Sequence, residues 1–161
     1  AVIKFEDEIN PFSAKVLTEA MQTAELSGAS LIVINMDTPG GLLDSTRQIV
    51  GQIQKSEIPV VVYISPSGSR AASAGTFVVA SAHIAAMAPM TNIGAASPVG
   101  SGGEDLPETL KNKSTQDAAA FIREIAESRG RNASALVDTV INAKAFSTRE
   151  RRNETFVFCT S

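Results

Sequence analysis

Ser73 has the surroundings that nucleophilic chemistry requires. It stands in a run of small residues, 71–75, which follows an apolar segment typical of a buried strand and begins a predicted helix. Small neighbours let a substrate backbone approach the serine oxygen, and free amides at a helix N-terminus stabilise developing negative charge. A tight contact between a helix and a sheet would need the same small side chains, so the run alone leaves both interpretations open.

A second feature favours the catalytic interpretation of Ser73. Gly40 and Gly41 follow Pro39 directly after the preceding apolar segment. Glycine permits a close backbone approach that other residues forbid, and ligands of parallel α/β sheets bind at the carboxyl ends of strands. The amides of Gly41 and Ala74 would then form an oxyanion hole beside the serine.

A catalytic serine needs a general base, and the histidine of this chain does not fit that role. His83 lies ten positions after Ser73, near the far end of the same predicted helix and therefore about 15 Å away. We interpret it as a structural or surface residue. A lysine is the alternative base, and Lys111 and Lys113 stand out because they follow a glycine-rich loop and precede a helix.

The start of that helix decides which of the two lysines is better placed. Ser114-x-x-Asp117 resembles a capping box, which predicts that Lys113 lies on an irregular segment just before the helix. An earlier start would instead bring Lys111 nearer to the apolar face. The pattern leaves both lysines open.

The composition indicates one globular domain and excludes several functions. The chain has 161 residues, 43% of them hydrophobic, and a net charge of −3, which gives no electrostatic reason to expect nucleic acid as a partner. The single cysteine, Cys159, excludes an internal disulfide, and one histidine excludes a histidine metal cluster. We expect no metal and no cofactor. No apolar run approaches the roughly 20 residues of a membrane span.

Strands alternate with helices along most of the chain, which predicts an α/β fold with parallel strands. The strands expected from the apolar runs are 1–8, 31–36, 59–64 and 84–87, the middle two buried on both faces. Apolar residues at helical spacing follow residues 11, 42 and 74 and predict a helix at each place. One further helix is expected to end near 129, and another to cover 135–145. Residues 91–98 are predicted to be a loop, and 100–107 a mobile one that orders over substrate.

Four motifs resemble the membrane-bound NfeD family of serine proteases, relatives of Clp protease, signal peptide peptidase A and the crotonases. They are Asp-Thr-Pro-Gly-Gly at 37–41, Ala-Ala-Ser-Ala-Gly at 71–75, Met-Ala-Pro at 87–89 and Asn-Ile-Gly-Ala at 92–95. The resemblance implies a Clp protease/crotonase-like fold of repeated strand-strand-helix units, with a mainly parallel sheet flanked by helices. It implies a Clp-like protease domain over 1–150, and 151–161 departs from the family pattern as a divergent or truncated C-terminal segment.

The resemblance also implies a Ser-Lys dyad. In the family the lysine precedes a helix that ends in a Ser-Gly-Arg-Asn-like segment, which residues 128–132 match, and counting back favours Lys113 over Lys111. Ser73 would attack a peptide carbonyl, and Lys113, kept neutral by desolvation, would take its proton and later protonate the leaving amine. The oxyanion would rest on the amides of Gly41 and Ala74. Substrate contacts are expected at the following positions: Gly40, Leu42, Ala72 and Ser97.

The family implies further expectations about partners and location. Its substrates are apolar C-terminal segments of stomatin-like membrane proteins, and its members are membrane-anchored, so the intact protein would carry this domain outside the cytoplasm, as a homodimer. Any membrane contact would come from parts absent here, which makes this fragment a soluble domain. Two alternatives remain: a crotonase-type acyl-thioester enzyme and a non-catalytic binder of apolar peptide tails.

Overall fold

A four-stranded parallel sheet forms the centre of the molecule. The structure is a computed structural model that describes residues 1–99 and 105–148. The strands are β1 (Val2–Phe5), β2 (Ile32–Met36), β3 (Val60–Ile64) and, after the short strand β4 (Arg70–Ala72), β5 (Ile84–Met87). Their order in the sheet is β1-β2-β3-β5, and every pairing is parallel. The predicted α/β fold with a mainly parallel sheet is confirmed.

Helices connect these strands and cover the sheet. Their bounds are α1 (Pro11–Leu26), α2 (Leu43–Lys55), α3 (Gly75–Ser81), α4 (Glu108–Ser128) and α5 (Ala133–Ile141). The side chain of Asn10 caps α1 by accepting hydrogen bonds from two backbone amides of the first turn, each at 2.9 Å. Pro11 follows at the first helical position, where its missing N–H costs nothing.

The core has two parts, and one of them differs from expectation. In β2 and β3 buried residues alternate with half-buried ones, such as Val33 and Val61, so the predicted burial of these strands on both faces is wrong for the described residues. Apolar side chains of α1 and α2 pack on the fully buried face. A second cluster joins α3, α4 and α5, and Phe77 lies within it.

A second, three-stranded sheet lies beside the first and was not predicted. In it β6 (Asn92–Gly94) pairs with β4 in parallel and with β7 (Ala145–Ser147) in antiparallel orientation. The predicted loop 91–98 therefore contains a strand. The predicted helix 135–145 is also wrong at its end, because α5 stops at Ile141 and Ala145 already belongs to β7.

The start of α4 differs from the sequence prediction as well. The helix begins at Glu108 after Pro107, and no side chain caps it, so Ser114 and Asp117 do not form a capping box. Pro107 has a fixed φ of −51° that suits a helix start, and Glu108 in the first turn interacts favourably with the helix dipole. Lys113 therefore lies inside the helix and not before it. Of the predicted mobile segment, residues 100–104 lie outside the described ranges.

Two arginines complete the C-terminal end of α3. Arg129 Nε donates to the carbonyl of Ser81 at 2.8 Å, and Arg131 donates through Nε to Ala80 at 2.9 Å and through Nη2 to Ala82 at 2.7 Å. These carbonyls belong to the last helical turn, where no backbone amide can reach them. The segment that links α4 to α5 thus fixes the end of α3.

Replacing Arg131 by methionine should therefore destabilise the fold. The change leaves two carbonyls without their charged donor, and we expect the free energy of unfolding to fall by about 2 kcal/mol. Urea denaturation measures this directly. Arg123→Met is the matched control, since Arg123 is exposed on α4, and its stability should change by less than about 0.5 kcal/mol. Equal stability of the two variants would contradict the capping role.

No helix among the described residues is both long enough and apolar enough to cross a membrane.

Candidate active site

A cleft of about 350 Å³ opens beside the end of β2 and the start of α3. It contains Ser73, the glycine turn and residues from α2, α4 and the segment after β6. The lining residues are Glu8, Pro39, Gly40, Gly41, Leu42, Leu43, Ser73, Ala74, Phe77, Ala96, Pro98, Val99 and Ala118. Predicted residues from two separate motifs therefore meet in one cavity.

Ser73 has a backbone conformation that is rare for a residue with a side chain. Its φ is +51°, in the left-handed region, and its N–H donates to the carbonyl of Gly94 at 2.8 Å. The residue after it, Ala74, already has helical dihedral angles and caps α3. Such strain persists only where the surrounding structure enforces it, and it is frequent at functional sites. The sharp turn between β4 and α3 leaves the serine half-buried and on the cleft.

The glycine turn packs directly against Ser73. A Cβ atom at Gly40 would lie 2.6 Å from the Cβ of Ser73 and 2.9 Å from the carbonyl oxygen of Ala72, so only glycine fits. Thr38 fixes this turn: its hydroxyl donates to the carbonyl of Asp7 at 2.7 Å and accepts from the amide of Gly40 at 3.1 Å. The turn and the serine are thereby held as one unit.

The backbone amides of Gly41 and Ala74 lie on the cleft, and neither donates to an acceptor among the described residues. Ile9 N–H donates to the carbonyl of Gly40 at 2.7 Å, and Leu42 N–H donates to the carbonyl of Ile9 at 2.8 Å, so the N–H of Gly41 between them points away from Ile9. Free amides on a cavity beside a serine are the arrangement that an oxyanion requires.

The two candidate lysines do not line the cleft. Lys111 and Lys113 are both exposed on the first turns of α4, and no side-chain hydrogen bond or ion pair joins either to another described residue. Lys111 precedes the cleft residue Ala118 by about two turns and shares its side of the helix, whereas Lys113 is turned about 140° away from it. The structure therefore brings Ser73 and the amides of Gly41 and Ala74 to one cleft, but neither lysine with them.

Of the four predicted substrate contacts, two line the cleft and two do not. Gly40 and Leu42 line the cleft, and the side chain of Leu42 is 47% exposed at its mouth. Ala72 and Ser97 do not line it. The hydroxyl of Ser97 instead donates to the carbonyl of Val140 at 2.5 Å, which ties the segment after β6 to α5.

Several cleft residues gave no signal in the sequence. Leu43, Phe77, Ala96, Val99 and Ala118 are apolar and come from four separate segments. Each fits the apolar pattern of its own element, so none was distinguishable from an ordinary core residue. Glu8 adds a carboxylate to the cleft; it precedes Ile9, which pairs with Gly41 in the structure, and no sequence pattern indicated its position there.

His83 lies at the opposite end of α3 from Ser73. Its Nδ1 accepts a hydrogen bond from the backbone amide of Val60 at 3.1 Å. Burial and, to a lesser extent, the positive charge of Arg129 lower the pKa of His83. A neutral ring that caps the start of β3 is a structural residue, as the sequence predicted.

The fold and the cleft define a Clp-protease-like domain. The structure of ClpP1 from Listeria monocytogenes superimposes with a TM-score of 0.77 over 99% of this chain and 91% of that one, at 16% identity, which shows the shared fold. The family model of the NfeD1b N-terminal domain matches residues 1–157. The chain belongs to this family, and the predicted relationship is confirmed.

Two curated proteins and three solved structures are similar to this chain in sequence or in structure. The chain is 38% identical over 133 residues to membrane-bound protease PH1510 of Pyrococcus horikoshii and 33% identical over 121 residues to membrane protein NfeD1b of Bacillus subtilis. These matches cover 82% and 73% of this chain, but it spans only 30% and 27% of those proteins.

The solved structures are of the 1510-N membrane-bound stomatin-specific protease. A serine-to-alanine mutant and a lysine-to-alanine mutant in complex with a substrate peptide each have a TM-score of 0.88 and 31% identity over 98% of this chain, and cover 77% and 73% of theirs. A third structure, of the Pyrococcus horikoshii protease described as specific for a stomatin homolog, has a TM-score of 0.81 and 29% identity. It covers 99% of this chain and 73% of its own.

Proposed function

We propose that this domain is a serine endopeptidase with a Ser-Lys dyad of Ser73 and Lys113. The observation that carries the proposal is the cleft itself, which contains a serine on a strained turn together with the amides of Gly41 and Ala74, neither of which donates to an acceptor among the described residues. A carbonyl carbon placed at the serine oxygen would have its own oxygen between the amides of Gly41 and Ala74. This arrangement matches acyl transfer.

The reaction proceeds in two halves. The Ser73 hydroxyl attacks the peptide carbonyl while neutral Lys113 takes its proton, and the tetrahedral oxyanion rests on the two amides. When the intermediate collapses, the C–N bond breaks and Lys113 returns the proton to the leaving amine. Water then attacks the acyl-serine and gives a proton to Lys113. When this second intermediate collapses, the bond between the carbonyl carbon and the Ser73 oxygen breaks, Lys113 returns the proton to that oxygen, and the carboxylic acid product leaves.

Lys113 is preferred to Lys111 on two grounds. The segment 128–132 matches the family ending from which the lysine is counted. The serine and the lysine replaced in the two mutant relatives also lie only one position further apart than Ser73 and Lys113 do. Because Lys113 is exposed on α4 in this structure, the proposal requires the first turns of that helix to change conformation when substrate binds. Catalytic contacts often tighten only in the complex.

The substrate we propose is an extended apolar segment of a membrane-associated, stomatin-like protein. The relative in complex with a substrate peptide is named as stomatin-specific. In this chain the cleft walls are largely apolar, from Leu42, Leu43, Phe77 and Val99. Membrane anchorage outside the cytoplasm, through parts of the intact protein beyond this chain, and assembly as a homodimer belong to the same proposal.

Labelling with a fluorophosphonate tests the nucleophile. We expect a single adduct on Ser73 and cleavage of a synthetic apolar peptide by the unmodified chain. Ser73→Ala should lose both, with cleavage reduced at least about a thousandfold. Ser67→Ala is the matched control, because Ser67 is an exposed serine nearby whose hydroxyl donates to the carbonyl of Pro89; it should react and cleave as the unmodified chain does.

The remaining outcomes separate the alternatives. Peptide binding without an adduct or cleavage would favour a non-catalytic binder. Thioester hydrolysis that survives in Ser73→Ala would favour a crotonase-type enzyme, which stabilises an oxyanion without a serine nucleophile. Either result would overturn the proposed protease.

A further inference from the structure

We infer that Arg47 is a positioning residue for Lys113 and acts from the neighbouring helix α2. The inference rests on the proposed function, because it concerns how the proposed base is presented to Ser73. Arg47 Nη2 donates to Asp117 Oδ2 at 2.8 Å, and Asp117 lies one helical turn after Lys113 on α4.

A second contact of the same side chain holds the next turn of α4. The guanidinium carbon of Arg47 lies 4.1 Å from the centroid of the Phe121 ring, which is cation–π geometry. Phe121 in turn stacks on Phe77, with 5.5 Å between ring centroids and 21° between the planes. Since Phe77 lines the cleft about one helical turn after Ser73, the contact connects α2, α3 and α4 at the wall of the site.

These contacts lie next to the exposed first turns of α4. Residues 108–113 are all exposed, and the first buried side chain of the helix is Ala118. The Arg47–Asp117 pair is therefore the anchor nearest to Lys113. It holds α4 against α2 at Asp117, so that the preceding turns, including Lys113, can move toward Ser73 from a fixed position.

The role is one of position and not of global stability. The side chains of Arg47 and Asp117 are 39% and 65% exposed, and ion pairs with that exposure contribute little to folding. A small displacement of a catalytic group nevertheless has a large effect on rate. Loss of Arg47 should thus lower activity far more than it lowers the midpoint of thermal unfolding.

The test compares Arg47→Met with Arg47→Lys in both fluorophosphonate labelling and peptide cleavage. For Arg47→Met we expect the labelling rate of Ser73 and kcat to fall about ten- to a hundredfold, with KM changed by less than about threefold. Arg47→Lys keeps a charge for Asp117 but loses the planar stacking on Phe121, so its labelling rate should lie between those of Arg47→Met and the unmodified chain. Arg123→Met, which changes an exposed arginine of α4, should behave as the unmodified chain does.

A double-mutant cycle shows whether Arg47 acts through Lys113. In the Lys113→Ala background, Arg47→Met should cause no further loss of labelling, because the group it positions is gone. An equal loss in both backgrounds would overturn the inference and leave Arg47 as a support of the cleft wall. So would a labelling rate for Arg47→Met equal to that of the unmodified chain.

Amide hydrogen exchange gives a readout that does not depend on activity. Residues 108–116 should exchange faster in Arg47→Met than in the unmodified chain, and unchanged exchange would overturn the inference. Asp117→Asn, which keeps the size of the side chain, should shift exchange and labelling in the same direction by a smaller amount. Absence of labelling in the unmodified chain would instead overturn the proposed function, so the two failures are distinguishable.

Discussion

Lys113→Ala is expected to lower kcat for an apolar peptide by about a hundred- to ten-thousandfold, while Lys111→Ala stays within about threefold of the unmodified chain. The reason is that Lys113 is the proposed general base and that His83 is not placed to replace it. His83 lies at the far end of α3, where its Nδ1 already accepts from Val60. The comparison needs steady-state cleavage of one peptide by three proteins at equal concentration.

The two lysines form a closely matched pair for this experiment. Both are exposed on the first turns of α4, so either substitution should change the free energy of unfolding by less than about 0.5 kcal/mol. The structure as it stands turns Lys111 toward the side of Ala118 and Lys113 away from it. A large loss in Lys111→Ala with a small loss in Lys113→Ala would reverse the assignment of the base and retain the dyad.

A conformational change of α4 follows from assigning the base to Lys113. The turns before Asp117 have no buried side chain among the described residues, so few contacts oppose their rearrangement. A lysine held in solvent is charged and cannot act as a base; it has to enter a drier environment first. Substrate that fills the cleft beside Phe77 and Ala118 would supply that environment and bring the helix start with it.

The parallel sheet was predictable because its signals are local. The runs 31–36 and 59–64 are apolar, rich in β-branched residues and bounded by turn residues, and they became β2 and β3. The strands β4, β6 and β7 have three residues each, too few for any periodicity. Their pairing depends on contacts between segments that are far apart in sequence, such as Gly94 with Ala145. No local pattern carries that information.

The same distinction applies to the site. Ser73, Gly40 and Gly41 were predictable because close backbone packing allows few residue types. The structure shows this close packing in the contact between Gly40 and Ser73. Phe77 and Ala118 were not, because a cleft wall and a core use the same apolar residues. The start of α4 was misplaced because Ser114 and Asp117 fit a cap pattern, whereas Pro107 and Glu108 set the actual start.

Gly40→Ala is expected to abolish peptide cleavage and to destabilise the fold, because the position has neither the space nor the dihedral angle for a side chain. Its φ is +109°, and the added Cβ would lie 2.6 Å from the Cβ of Ser73 and 3.0 Å from the amide nitrogen of Ala74. The contact therefore displaces the proposed nucleophile and one oxyanion donor together. We expect a loss of about 1–3 kcal/mol in unfolding free energy, measured in urea.

Gly51→Ala is the control that separates the position from the chemistry of the substitution. Gly51 lies inside α2, and a Cβ atom there would meet nothing within 4 Å. Alanine is a better helix former than glycine by about 1 kcal/mol, so this variant should be as active as the unmodified chain and somewhat more stable. Labelling of Ser73 at the normal rate in Gly40→Ala would contradict the close contact. The Ser73 hydroxyl could keep its position only if the turn at Gly40 had space for the added methyl group.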